Sequence, residues 1–191
     1  MANLKESPSQ TAGPYVHIGC TPNVTGITSV YETDLGATLK TGPVQGEAIT
    51  IKGFVIDGAG DIVIDAMVEI WQADAQGQFN TDPNFSGWGR SAGDMDTGEF
   101  SFDTIKPGSV TFTDGTPQAP HITFWIVARG INLGLQTRMY FADEDNSSDP
   151  ILSQITDKSR IKTLLATKDA SGVYRFDIHL QGAHETIFFD A

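Results

Sequence analysis

Three features of the 191-residue chain predict a mainly β protein: short runs in which apolar and polar residues alternate, paired turn residues between those runs, and a start rich in Gly, Pro, Ser and Thr. The expected architecture is a β-sandwich core of mixed topology with an extended N-terminal arm and one or two short helices. A chain of this length suits a single domain with its own core, since it should bury about 70% of its unfolded surface.

Residues 1–47 lack sustained periodicity and read as the arm. An arm that long is either laid across a partner or without fixed structure, and Tyr15, Val16, Ile18, Val30, Tyr31 and Leu35 favour the partner. The β signal begins at residue 48, so the sandwich is expected over 48–191. Ile49 and Ile51 alternate with Thr50 and Lys52, and Phe100 and Phe102 with Ser101 and Asp103. Ala66–Gln72 is apolar on both parities, as a strand covered on both faces would be. In His121–Arg129 one face carries Ile122, Phe124, Ile126 and Ala128; the other carries His121, Thr123, Trp125, Val127 and Arg129. Leu135–Ala142, Val173–Leu180 and Thr186–Phe189 complete the strands. Turns are marked by Asp57-Gly58, Ala59-Gly60, Thr97-Gly98, Pro107-Gly108, Asp114-Gly115 and Ser171-Gly172. Pro150–Ala166 is the helical segment, with Pro150 at the first helical position after Asp149. Lys158, Arg160, Lys162 and Lys168 give this region a solvated basic face.

Charge narrows the function. Twelve Lys and Arg stand against 24 Asp and Glu, a net charge of −12, which argues against nucleic acid or an anionic membrane as the partner. Cys20 is the single cysteine, so neither an internal disulfide nor a thiolate-rich metal site is expected. No apolar run approaches a membrane span, and the first ten residues read as no secretory signal, so the expected location is the cytoplasm. Phosphate-binding loops, nucleophile elbows and zinc spacings are not found, and Gly58-Ala-Gly60 is a hairpin turn. Asp143-Glu-Asp145 with Asp149 lacks the calcium-loop pattern and reads as a solvated acidic loop.

One stretch is specific. Ile51-Lys-Gly53-Phe-Val55, then Gly60, Val63 and Val68-Glu-Ile70-Trp-Gln-Ala-Asp-Ala-Gln-Gly77-Gln-Phe79 resembles the signature of the intradiol ring-cleavage dioxygenases. Further matches to one branch of that family are Thr11-Ala-Gly-Pro-Tyr15, Asn84–Arg90, Thr104-Ile-Lys-Pro-Gly108, Ala119–Phe124, Ala128-Arg-Gly-Ile-Asn132, Thr137-Arg-Met-Tyr-Phe141 and the tail from Tyr174 to Phe189. The resemblance covers nearly the whole chain.

It implies a mononuclear Fe(III) centre held by two tyrosinates and two histidines, the histidines as His-x-His on one strand. A period of two puts both imidazoles on one face, about 7 Å apart at Cα. This chain keeps His121 but has Thr123, Phe79 and Val110 at the positions of the other three ligands. One neutral imidazole cannot hold Fe(III) against water, so the expectation is that this chain binds no iron.

The resemblance then implies a hetero-oligomer. A homologous β chain carries the iron, and this iron-free chain closes the pocket for a catecholic acid, 3,4-dihydroxybenzoate, which O2 cleaves. The implied substrate-contacting positions are Thr11, Gly13, Pro14 and Tyr15 in the arm, and Arg129. A guanidinium suits a carboxylate, and Gly13 admits close approach of backbone to an aromatic ring. Arg129 lies eight residues from His121, about 26 Å at strand rise, which favours service to a neighbour's site. The alternatives are a homomeric dioxygenase with unusual ligands and a transthyretin-like binding module without chemistry.

Overall fold

The computed structural model describes residues 11–13, 15–112 and 114–190. Its strands are β1 (Ala48–Gly53), β2 (Val55–Ile56), β3 (Met67–Trp71), β4 (Trp88–Ser91), β5 (Phe100–Ile105), β6 (Val110–Thr111), β7 (Pro117–Gln118), β8 (His121–Val127), β9 (Leu135–Phe141), β10 (Leu165–Lys168), β11 (Tyr174–Arg175) and β12 (Ile178–His179). Helices α1 (Tyr15–Cys20) and α2 (Pro150–Gln154) and a 3-10 helix at Lys158–Leu164 complete the elements.

Eight strands form one sheet in the order β4-β3-β8-β9-β10-β11-β1-β5. It is mixed: β1–β11 and β9–β10 are parallel and the other neighbours antiparallel. β4 and β5 stand at opposite edges, yet only residues 92–99 join them. A flat sheet of eight strands would set those edges about 34 Å apart. The connection is folded on itself, Asp94 N–H donating to the Glu99 carbonyl at 2.9 Å. The sheet therefore curls until its edges meet, and Ser101 N–H reaches Ser91 Oγ at 3.4 Å. The result is a nearly closed β-sandwich of mixed topology, as expected.

The inner face is apolar. Phe124 is the hub of an aromatic cluster, with ring centroids 5.1 Å from Phe176, 5.9 Å from Phe100 and 6.3 Å from Phe102. Ile122, Phe124, Ile126 and Ala128 are all buried, and Tyr174, Phe176 and Ile178 follow the expected parity. A smaller core of Ala119, Tyr140, Leu152 and Leu164 lies under α2 and the 3-10 helix. The last residue of β1 is Gly53, where a Cβ would collide with the Phe176 carbonyl. The ribbon nonetheless continues past it, Ile178 N–H bonding to the Phe54 carbonyl at 2.8 Å.

Several local expectations change. The arm contains α1, whose end is tied to the sheet by Arg90, which donates to the Cys20 carbonyl at 3.0 Å and pairs with Glu69 at 2.7 Å. Leu39 lies in the main core, so the second half of 1–47 packs on the domain. Residues 165–168 are strand, filling the gap between β9 and β11, and the first two of them fall where the sequence reads as the end of a helix. Thr186–Phe189 builds no ladder: Thr186 bonds to His179, whereas Phe189 bonds to Gln136. The acidic segment is not uniformly solvated either, since Asp143 and Glu144 both pair with Lys106 and Asp149 is buried.

Asp149 joins three elements. Its carboxylate accepts from Ile151 and Leu152 N–H as the cap of α2, from Ala119 N–H before β8, and from the Tyr140 hydroxyl on β9. Asp149→Ala would strand several buried donors, so a loss of about 3 kcal/mol is expected by urea unfolding. A loss under about 1 kcal/mol would show that the carboxylate is not a structural centre.

Asp74 closes the turn after β3, accepting from Gln76 and Gln78 N–H at 2.9 Å and from Thr81 Oγ1 at 2.6 Å. Burial alone would raise its pKa, but the bonds from Thr81, Gln78 and Gln76 outweigh that and hold the carboxyl below its ordinary value. Such a group stabilises the fold above its unfolded pKa of about 3.9, and that stability is lost as pH falls through the lower folded value. Asp74→Asn should therefore cost stability at neutral pH by a margin that shrinks once the pH drops below about 4. A margin independent of pH would assign the turn to shape rather than charge.

Candidate functional site: two ends of one strand

The four positions implied as iron ligands gather where β8 begins. His121 is its first residue, and Thr123 follows on the same outward parity. Thr123 pairs with Trp71 across β3 and with Arg138 across β9. Phe79 stacks on Trp71 with centroids 5.8 Å apart and planes 2° from parallel. The turn before Phe79 rests on the Pro107–Ser109 loop. Gly77 sits there at φ +75°, where a Cβ would collide with the Ser109 carbonyl. That loop delivers Val110, which pairs with Gln118 across β6 and β7.

His121 is buried, and its Nδ1 lies 2.8 Å from the Ala119 carbonyl, so Nδ1 carries the proton. Burial lowers the imidazole pKa; the Ala119 carbonyl opposes this and the Arg138 charge reinforces it. The ring is held neutral beside Tyr140, centroids 5.6 Å apart. Burial, then the nearby Asp149 carboxylate, push the Tyr140 phenol well above its ordinary pKa.

This set does not fit a ferric ion. Phe79 and Val110 offer no donor atom, and Thr123 offers a neutral hydroxyl. Among the described residues, no group of three or more His, Cys, Asp and Glu side chains is placed to hold a metal. No reaction step is assigned to a metal on this chain. Sequence reasoning passed over the residues that complete this neighbourhood. Arg138 Nη1 donates to Gln118 Oε1 at 2.8 Å, and Tyr140 and Asp149 are hydrogen-bonded beside them. Alternation along β9 places Arg138 and Tyr140 on one face, but only the register of β9 on β8 sets Arg138 against Thr123.

The other end of β8 holds the second group. Arg129 lies just past Val127, with its side chain 74% exposed and Nη2 2.8 Å from Asp65 Oδ2. Gly130 N–H donates to Thr11 Oγ1 at 2.7 Å, across 119 residues of sequence. His17 on α1 secures the arm beside them, its Nε2 2.9 Å from the Asp65 carbonyl. Tyr15 is 81% exposed. Among the described residues, its chain neighbours aside, no atom lies within 4 Å of where a Gly13 Cβ would stand. Pro14 lies outside the described residues. Arg129, Gly130, Asn132, Leu180 and Phe188 help line an open cavity of about 610 Å³. The structure thus brings Thr11 and Arg129 together, and sets them at the opposite end of β8 from His121.

Comparison with known proteins places the chain. A family model described as dioxygenase matches residues 26–182. The chain is 43% identical to the protocatechuate 3,4-dioxygenase alpha chain of Pseudomonas putida, over 98% of this chain and 97% of that one. It is 34% identical to the protocatechuate 3,4-dioxygenase beta chain of Burkholderia cepacia, over 78% of this chain and 70% of that one. Its fold is that of an intradiol ring-cleavage dioxygenase from Tetranychus urticae, with a TM-score of 0.61, 16% identity, and 82% of this chain and 91% of that one covered. With family model, near full-length relatives and fold in agreement, this chain belongs to the intradiol ring-cleavage dioxygenases.

Proposed function

We propose that this chain is the iron-free α-type subunit of a cytoplasmic protocatechuate 3,4-dioxygenase. A homologous β chain carries Fe(III), and the complex cleaves 3,4-dihydroxybenzoate with O2, between the hydroxyls, to 3-carboxy-cis,cis-muconate. Bound in the β chain, the iron makes the catechol ring reactive toward O2; this chain supplies the wall and charge of the pocket.

The observation that carries this reading is the pairing of the arm motif with the Arg129 turn through the Thr11–Gly130 hydrogen bond. Near full-length identity to a chain named alpha, beside a relative named beta, supports a two-chain assembly. On a chain of net charge −12, an anionic substrate needs a local cation. Arg129 rests on Asp65, but so exposed an ion pair is worth only about 0–1 kcal/mol, and the guanidinium can exchange that partner for a substrate carboxylate. Thr11 fixes the backbone next to Arg129, which limits the entropy lost when its donors are aimed. Tyr15 is exposed and, with Gly13 open beside it, is free to cover the ring and exclude water.

Arg129→Ala in the co-purified complex should leave iron content unchanged and cost about 1.5–3 kcal/mol in kcat/KM for 3,4-dihydroxybenzoate, roughly ten- to hundredfold. Uncharged catechols should lose far less, and an equal loss on both would refute a carboxylate contact. The chain expressed alone should be colourless and iron-free, whereas the complex should show red-brown tyrosinate-to-iron absorption and consume O2. Colour in the isolated chain would overturn the assignment of the iron to its partner.

A further inference from the structure

We propose that His179 and His184 are a two-histidine chelate for a divalent transition-metal ion of the zinc class. The proposal does not rest on the reading of the chain as an iron-free subunit.

The chain has four histidines. Two are used inside the domain: the His17 ring bonds to Thr21 and to the Asp65 carbonyl, and the His121 ring to the Ala119 carbonyl. The other two meet at an open cavity of about 360 Å³ that both of them line, their ring centroids 5.9 Å apart and their planes crossing at 54°. Among the described residues, no ring nitrogen of either has a hydrogen-bond partner, and His179 is bonded through its backbone alone. That backbone is fixed. His179 pairs with Ile56 across β12 and β2. Its N–H donates to Thr186 Oγ1 and its carbonyl accepts from Thr186 N–H, both at 2.9 Å. Thr186 is buried, and Glu185 N–H closes the intervening turn on the Gly182 carbonyl at 3.0 Å. The fold thus brings the two imidazoles together before any ligand arrives, and only side-chain rotations are left to order.

The spacing suits a metal. A Zn–N bond of about 2.0–2.1 Å puts a ring centroid about 3.2 Å from the ion, so two imidazoles at a tetrahedral angle have centroids about 5.2 Å apart. The observed pair is slightly wider, and His184 is exposed, so its side chain can rotate to close the gap. Charge at the cavity does not oppose a cation. Arg175 is paired with Glu99 and Asp169, and Lys162 is offset by Asp177, which shares the strand parity of His179. Imidazole nitrogen suits Zn²⁺, Ni²⁺ and Cu²⁺, whereas Mg²⁺ and Ca²⁺ take oxygen ligands. Among the described residues no third side chain of the ligating types is placed to join the pair, so water or a small anion completes the coordination.

The test titrates Zn²⁺ into the tag-free full-length chain by calorimetry at about pH 7.5, where free imidazole is mostly neutral. One site per chain is expected. His179→Gln and His184→Gln should each weaken it at least tenfold, Cys20→Ser should leave it unchanged, and excess Mg²⁺ should not displace the metal. Zn²⁺ should also raise the urea midpoint of the unaltered chain but not that of the double variant, because only a folded chelate gains from the ion. Absence of binding would overturn the proposal. So would a loss from only one of the two histidine substitutions, which marks a lone imidazole, or a loss with Cys20→Ser, which puts the metal on the thiol. Should His179→Gln fail to fold, the imidazole proton resonances of the unaltered chain are followed during the titration: both rings must shift together, and a shift of one alone refutes chelation.

Discussion

Ile122, Phe124, Ile126 and Ala128 are buried side by side along β8, and that packing governs the rest of the molecule. A strand alternates its side chains, so burying these four commits His121, Thr123, Trp125 and Val127 to the opposite face. A shift of one residue would turn the whole apolar set outward. β3 and β9 hold β8 from both sides, and the near-closure of the sheet leaves no slack for slippage. The same register sets His121 and Arg129 at opposite ends. The implied ligand positions and Arg129 are therefore kept apart within one chain.

Charge is handled differently at those two ends. At the His121 end polar groups are buried or half-buried and hydrogen-bonded within the domain: Asp149 with four donors, His121 with a carbonyl, Arg138 with Gln118. Groups so enclosed are costly to disturb, which suits a structural knot. At the Arg129 end the ion pair is exposed, the arm is tied by a single hydroxyl contact to the turn, and Tyr15 stands in solvent. Weakly held groups of that kind can be re-aimed by a neighbour at small cost.

The division between what the residues disclose and what they hide follows the range of the interactions. Strand parity, the Pro150 helix start and the glycine turns are local, and each was readable. The Asp149 cap was half readable: Asp-Pro signals a helix start, but nothing local shows that the same carboxylate also holds Ala119 and Tyr140. β10 is not legible locally because its strand state is imposed by pairing with β9, far upstream, as well as with the nearby β11. The Arg138–Gln118 bond depends on a hairpin whose loop of irregular length does not fix register. The Thr11–Gly130 contact spans most of the chain, and only the family resemblance directed attention to both of its ends.

The placement of the implied ligand positions would let this fold stand without a metal. His121 and Thr123 lie on the face of β8 that points away from the main core, and Phe79 and Val110 sit on or beside loops. The core that stabilises the sheet is built from the opposite parity and shares no side chain with them. Phe79 and Val110 bring no polar atoms that would need partners there, and Phe79 stacks on Trp71. The pleat thus separates stability from chemistry. It leaves the outer surface free to carry an arginine-centred cluster at one end and an arm-bound rim at the other, while the inner surface keeps the architecture of the family.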